Sequence, residues 1–310
     1  MVSEYPLGQD ERCDRLRGGW LQSLRPAPIR DVRRRIRVVV GHLIGIQGDL
    51  QVSWTPELPF VYVANPKAGT SSIQHSLKQA QANAYGRARG NYARSLDPHV
   101  ADDCLRHDGM LPHGRCGRFL ISCVRNPFTR ALSAYLDKVA APDARPYLEL
   151  RNKRVRSFED HLRALKDCNP KLLNPHFRAQ HYNLDYARIV YDAVFYLENA
   201  AAIERFISQI THAFKMQRYA PHSRAADEKL FAHYNERALD LVRDLYAKDF
   251  AQFGYGQALD DARAAPGEMI ADGRIVSPGT EFAPRPPRQS LSSALRNALH
   301  FRRLVDWRLL

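Results

Sequence analysis

The sequence predicts an α/β fold in which a largely parallel central sheet lies between two layers of helices. Three observations predict it. Apolar runs at residues 60–64, 119–124 and 193–197 read as strands buried on both faces. Each run is followed by apolar positions at helical spacing, such as Ile73, Leu77 and Ala80 after the first. Repeated strand-then-helix units in turn imply parallel neighbours joined by right-handed crossovers.

The elements follow in order. Residues 1–55 form a basic extension with room for one strand or helix. Its first 19 residues are polar, without the apolar core of a signal peptide. Arg33-Arg34-Arg35-Ile36-Arg37 precedes an apolar run, 38–46, that is far too short to cross a bilayer. The arginines suit a solvated face, an acidic acceptor or a lipid surface. The main domain is placed at 56–256. After its first strand comes the turn Asn65-Pro66-Lys67-Ala68-Gly69, then Thr70, Ser71 and Ser72 at a helix start. Residues 79–118 hold the end of that helix and a variable loop containing His99.

The second strand ends at Arg125, and Asn126-Pro127 starts a helix with proline at its first position. Phe128, Ala131, Leu132, Tyr135 and Val139 mark its apolar face. Ser157 opens a further helix with a capping-box-like spacing, on which Phe158, Leu162 and Leu165 share a face. Residues 169–180 carry two prolines and read as loop. The third strand ends at Glu198, and Asn199 caps a helix faced by Ile203, Phe206, Ile207 and Ile210. Leu241, Val242, Leu245 and Phe250 mark another helix. Residues 257–310 turn to Ala, Pro, Gly and Arg, reading as a strap followed by an amphipathic helix from Leu291. That helix would dock on the domain or lie on a membrane surface.

The chain of 310 residues is ample for a real core, and its net charge of +13 points to an acidic partner such as a nucleotide, anionic glycan, nucleic acid or lipid. Five cysteines, Cys13, Cys104, Cys116, Cys123 and Cys168, form no CxxC pair. That argues against a zinc site and a disulfide framework and suits a reducing compartment. The expected location is cytoplasmic, or peripheral to the inner face of the membrane.

The Lys-Gly turn suits a phosphate: glycine lets the backbone approach, the first helical turn offers N–H groups, and Lys67 adds a charge. An ordinary capped turn explains the same residues less fully, because a second strand also ends in a cation and leads into a helix. The carboxyl ends of such strands form the ligand side of an open α/β sheet.

NPKAGTSS (65–72) resembles the 5′-phosphosulfate loop of sulfotransferases that use PAPS, 3′-phosphoadenosine 5′-phosphosulfate. CVRNPFTRALSAYLDK (123–138) resembles their 3′-phosphate signature. NPHFRAQ (174–180) and LYAKDFAQFGY (245–255) are similar to segments of the carbohydrate branch related to the HNK-1 and chondroitin/dermatan enzymes. Phe177 and Ala179 depart from the tryptophan and proline usual there.

This resemblance, over about residues 58–256, implies a P-loop-like three-layer fold and transfer of a sulfuryl group to a hydroxyl of a carbohydrate or glycolipid acceptor. It implies that Lys67, Ala68, Gly69, Thr70, Ser71 and Ser72 meet the 5′-phosphosulfate, and that Arg125 and Ser133 hold the 3′-phosphate. Arg130 and Lys138 are outer phosphate contacts, surface charges or ion-pair partners. The acceptor hydroxyl needs a base. His176 falls on the histidine of the branch's motif; His99 is the next candidate, then Glu198 and His75, each with a plain structural role as its rival. No metal is required.

A P-loop-type kinase would place its lysine after the second glycine, whereas Lys67 precedes Gly69. A basic nucleic-acid binder would account for the charge but not for the Lys-Gly-hydroxyl turn, so nucleic acid is not an expected partner. A degenerate fold kept as a binding module is a third alternative.

Overall fold

The computed structural model describes residues 50–86, 97–99, 104–108, 118–141, 147, 150, 153, 155–219, 226 and 228–277. In chain order the elements are β1 (Val52–Trp54), β2 (Phe60–Val63), α1 (Thr70–Gln81), β3 (Arg106–Asp108), β4 (Phe119–Val124) and α2 (Pro127–Lys138). Then come α3 (Phe158–Lys166), α4 (Gln180–Asn183), β5 (Ala193–Tyr196) and α5 (Ala200–Ser208). The last are α6 (Leu230–His233), α7 (Glu236–Leu245), α8 (Ala247–Phe253), β6 (Met269–Ala271) and β7 (Arg274–Val276).

The strands form one sheet in the order β3-β1-β2-β4-β5-β6-β7. Its centre is parallel, β2 beside β4 and β4 beside β5, as the buried apolar runs predict. Its edges are antiparallel, which corrects the expectation of a largely parallel sheet. The edge strands lie outside the strand-then-helix units, and antiparallel neighbours need no crossover helix.

The fold also runs past residue 256, where the main domain was expected to end. β6 and β7 pair in a hairpin on β5, turning at Asp272 and Gly273 with φ of 51° and 73°. Positive φ at both central residues is what a tight two-residue hairpin turn requires. Strands of three residues show too little alternation to be read from sequence, and β3 escapes notice for the same reason. The arginine cluster at 33–37, the strap at 278–288 and the helix from Leu291 lie outside the described residues.

Side-chain alternation along the central strands divides the core in two. Val61, Val63, Leu120, Val124, Val194 and Tyr196 face one way and pack with Phe128, Leu132 and Tyr135 of α2, Leu162 of α3, Val242 of α7 and Phe250 of α8. Phe60, Tyr62, Phe119, Ile121, Cys123 and Phe195 face the other way, against Ile73 and Leu77 of α1 and Ile203 and Phe206 of α5. Three layers result. Because β2 and β4 are adjacent and parallel, the turns that follow them open at the same edge of the sheet.

The expected helix starts are present. Asn126 accepts the Phe128 N–H at 3.0 Å, with Pro127 at the first helical position. Ser157 accepts the Asp160 N–H at 3.1 Å, and Asn199 accepts that of Ala202 at 3.3 Å. The helix read around Leu241–Phe250 is two helices, α7 and α8, meeting at Tyr246.

Candidate active site

The turn from β2 to α1 is built on Asn65, which is wholly buried. Its carbonyl oxygen accepts the Ala68 N–H at 3.1 Å and the Thr70 hydroxyl at 2.7 Å. Lys67 and Gly69 both take left-handed backbone, φ 70° and 71°. A Cβ at Gly69 would stand 2.5 Å from Leu197 Cδ1, so a side chain there would have to displace Leu197 as well as strain φ. The helical ladder begins with Ile73 N–H donating to Gly69 O at 3.0 Å. The N–H groups of Gly69 to Ser72 precede that ladder; the capping position is a glycine, which has no side chain to bond them, and the first turn holds no acidic residue. They form a donor-rich helix start suited to an anion. The Ala68 N–H donates to Asn65 O within the turn, and its methyl is buried.

The turn from β4 to α2 is held by Gln180. Its Oε1 accepts the Arg125 N–H at 2.9 Å, its Nε2 donates to Arg125 O at 2.8 Å, and Asn65 Nδ2 donates to the same Oε1 at 2.8 Å. One amide thus joins the two turns. The Arg125 guanidinium donates from Nε to Thr129 Oγ1 at 3.1 Å, and its Nη1 reaches Lys67 O at 3.4 Å. Two cation-bearing strand tips therefore lie side by side. Glu198, a candidate base in the sequence, is committed elsewhere: it accepts the Asn126 N–H at 2.7 Å and the Tyr255 hydroxyl at 2.9 Å. Burial raises its pKa.

Positions 130, 133 and 137 of α2 share a face. Ser133 is nearly buried. Asp137 pairs with Lys67 Nζ and, at 2.9 Å, with Lys138 Nζ. Burial pushes the Lys67 ammonium down to about 8, against the pull of Asp137. Lys67 and Lys138 hold the Asp137 carboxyl well below the usual carboxylate range, although its burial acts the other way. Arg130 is almost wholly buried and donates to two backbone carbonyls, Pro66 O and Pro175 O, each at 3.0 Å. Arg130 thus braces two turns from inside, and Lys138 is a partner of Asp137.

His176 lies against this cluster. Its N–H and its Nδ1 both approach Asn174 Oδ1, at 3.1 and 2.7 Å. An oxygen that accepts the backbone N–H also accepts from the ring, so Nδ1 carries the proton and Nε2 keeps its lone pair. Burial, then Lys138 and Lys67, push the imidazolium well below its ordinary range, so the ring is neutral. His99 is exposed and meets the loop elsewhere, Nε2 standing 3.3 Å from Ser71 Oγ. Lys78 Nζ, donating to Asp97 O at 3.1 Å, and His107 Nε2, 2.9 Å from Pro98 O, anchor its turn. His75 packs its ring 5.3 Å from that of Tyr219, whose N–H donates to Ser72 Oγ at 3.0 Å.

The profile described as the sulfotransferase family matches residues 55–256. The chain belongs to that family. No curated protein and no solved structure matches it. The sulfotransferase is thus an enzyme that transfers a sulfuryl group, and its family implies a nucleotide sulfate donor and an acceptor substrate. Among the described residues, no group of His, Cys, Asp or Glu gathers as a metal site, and no helix is long and apolar enough to cross a membrane.

Sequence reasoning missed Asn65, Gln180 and Asp137 as organisers of the sulfotransferase site. Asn65 and Gln180 are both fully buried, and a polar residue next to an apolar run is the only local hint of that. Asp137 stands within the quoted signature but shows its partner only in three dimensions. The terminal segment 245–255 supports the site from behind: Asp249 accepts the N–H groups of Gln180 and His181 at 2.7 and 2.9 Å, and the Tyr246 hydroxyl donates to Phe177 O at 2.7 Å.

Proposed function

We propose that this sulfotransferase takes its sulfuryl group from PAPS and delivers it to a hydroxyl of a carbohydrate or glycolipid, as the carbohydrate branch related to the HNK-1 and chondroitin/dermatan enzymes does. The observation that carries the reading is the approach of Arg125 Nη1 to Lys67 O, 3.4 Å. It sets the two cation-bearing turns side by side at the same edge of the sheet, as one nucleotide bearing two anionic groups would need. The residues fit such a donor. The cap of α1 is a glycine with no side chain of its own to bond the first N–H groups, and among the described residues Asn126 Nδ2, beside Arg125, is a buried donor without a partner.

Each side chain then has a task. The N–H groups of Gly69 to Ser72 and the Lys67 ammonium receive the 5′-phosphosulfate. Lys67 meets the negative charge that grows on the leaving phosphate oxygen, so it favours the transition state over the ground state. Arg125, with its planar donor fork, and Ser133 take the 3′-phosphate. His176 accepts the acceptor's hydroxyl proton at Nε2, the nitrogen left free by Asn174. His99 is the rival base, held at Ser71. We place the protein in the cytoplasm, or peripheral to the inner face of the membrane.

The test is nucleotide protection against thermal unfolding. Adenosine 3′,5′-bisphosphate (PAP) should raise the melting temperature without magnesium, and ATP should not. Labelled PAPS offered with extracted glycans then identifies the acceptor. Protection by ATP that needs magnesium, or steeply salt-dependent DNA binding with no PAP effect, would overturn the assignment.

A further inference from the structure

The residues proposed as cation and base sit in turns of the same local sequence, Asn65-Pro66-Lys67 and Asn174-Pro175-His176. In each, the carbonyl just before the functional residue accepts from Arg130: Nε donates to Pro66 O and Nη2 to Pro175 O, both at 3.0 Å. Asn183 closes the same gap from the other side. Its Nδ2 donates to Pro175 O at 2.8 Å and lies 3.2 Å from Asn65 Oδ1. Arg130 is 1% exposed, and its guanidinium is spent on backbone carbonyls, not on a carboxylate. Burying a guanidinium is costly unless its donors are satisfied. A fold that needed only an apolar contact at this point of α2 would have no reason to retain one. A planar fork whose donors diverge at fixed angles can hold two separate carbonyls at a set distance, which a single ammonium cannot.

We propose that Arg130 is a positioning residue that sets the spacing of Lys67 from His176 by bracing the two Asn-Pro turns. The inference rests on the sulfotransferase reading above and deepens it. Arg130 touches neither donor nor acceptor; it acts through the two residues that do. Its loss should disturb donor binding less than turnover, because Gln180 still holds both backbone groups of Arg125 and Asn65 O still holds the start of the turn. It should let His176 drift from its neighbours. The charges that act on His176 are Lys67, Lys138 and Arg130, which disfavour its protonation, and Asp137, which favours it. Loosening the brace therefore weakens the hold of Lys67 on that ring.

The experiment compares the full chain with Arg130→Lys, which keeps the charge and loses the fork, and with Asn183→Leu, which removes the second strut without adding charge and also takes the acceptor from buried Arg178 Nε. Three readings are taken: the His176 ring titration by NMR, assigned with His176→Gln; PAP affinity by calorimetry; and the rate of labelled PAPS cleavage with water as acceptor. In either folded variant the His176 midpoint should rise by about one pH unit toward the ordinary imidazole value. PAPS cleavage should fall by about tenfold or more while PAP affinity changes less than about threefold. A simple loss of folded protein would scale the rate without moving the midpoint. The proposal is overturned if the midpoint stays put in the folded variants, or if PAP affinity falls as far as the rate. Should the unaltered chain fail to bind PAP, the donor assignment fails; the titrations still decide whether Arg130 braces the two turns.

Discussion

Gln180 holds Arg125 by both of its backbone groups, accepting from the N–H at 2.9 Å and donating to the carbonyl at 2.8 Å. The side-chain amide behaves as one more rung of a sheet beyond the end of β4. The direction of the Arg125 side chain is thereby fixed by a residue 55 positions away. Gln180→Ala should leave two buried backbone groups unsatisfied, at about 1–3 kcal/mol each. Calorimetry should show weakened PAP binding alongside a lowered melting temperature; unchanged PAP affinity would remove Gln180 from the site.

The two strand-tip cations should fail differently. Lys67→Ala removes a charge aimed at the leaving oxygen, and loss of one such preorganised donor costs about two to three powers of ten in rate. Arg125→Ala should instead weaken PAP binding while sparing the rate at saturating donor. Steady-state kinetics separate the two. An unchanged rate for Lys67→Ala would contradict its assigned role.

The protonated form of Lys67 is the useful one, and burial brings its pKa down to about 8. In the free enzyme the rate should be full below that value and fall as pH rises through it. Asp137 opposes the fall by favouring the ammonium. Asp137→Asn should therefore shift the basic limb of the pH–rate profile to lower pH, read from kcat/KM between about pH 6 and 9. A limb that moves upward, or not at all, would show that Asp137 does not govern this lysine.

Gly69→Ala combines left-handed backbone with a clash at Leu197 Cδ1. The backbone penalty alone is about 1–2 kcal/mol. Relieving the side-chain clash with Leu197→Ala should restore only part of the stability, since φ is untouched. Denaturant unfolding of the single and double variants checks this.

His161 of α3 is buried with Nδ1 unpartnered among the described residues, its ring 4.9 Å from that of Phe177. Burial lowers its pKa from 6.5 to about 3. Its folded value lies below its unfolded one, so its contribution is complete above about pH 6.5 and drains away as pH falls toward 3. The slope is about 1.4 kcal/mol per pH unit. His161→Phe should flatten the loss of stability between pH 7 and 5 by about 2 kcal/mol, measured by urea unfolding at both values.

How much of this was legible in the sequence depends on the range of the interaction. Strands β2, β4 and β5 announced themselves because both faces are buried, which leaves an unbroken apolar run. Asn126, Ser157 and Asn199 were readable as caps because a cap bonds within three residues of itself. The turns bearing Lys67 and Arg125 were readable because the demands of Gly69 and Pro127 on the backbone are local. β3, β6 and β7 were not, since a three-residue strand is stabilised by its neighbour and not by its own pattern.

The sequence by itself determined the two cation-bearing turns and the layers that would carry them, because apolar periodicity and backbone stereochemistry act over a few residues. Only the tertiary structure decided what the charged side chains do. It sent Arg130 inward to Pro66 and Pro175, paired Asp137 with Lys67, spent Glu198 on Asn126 and Tyr255, and left His176 neutral with Nε2 free. Buried polar groups must find partners wherever the chain brings them, as Asn183 and Asn65 do across 118 residues of sequence.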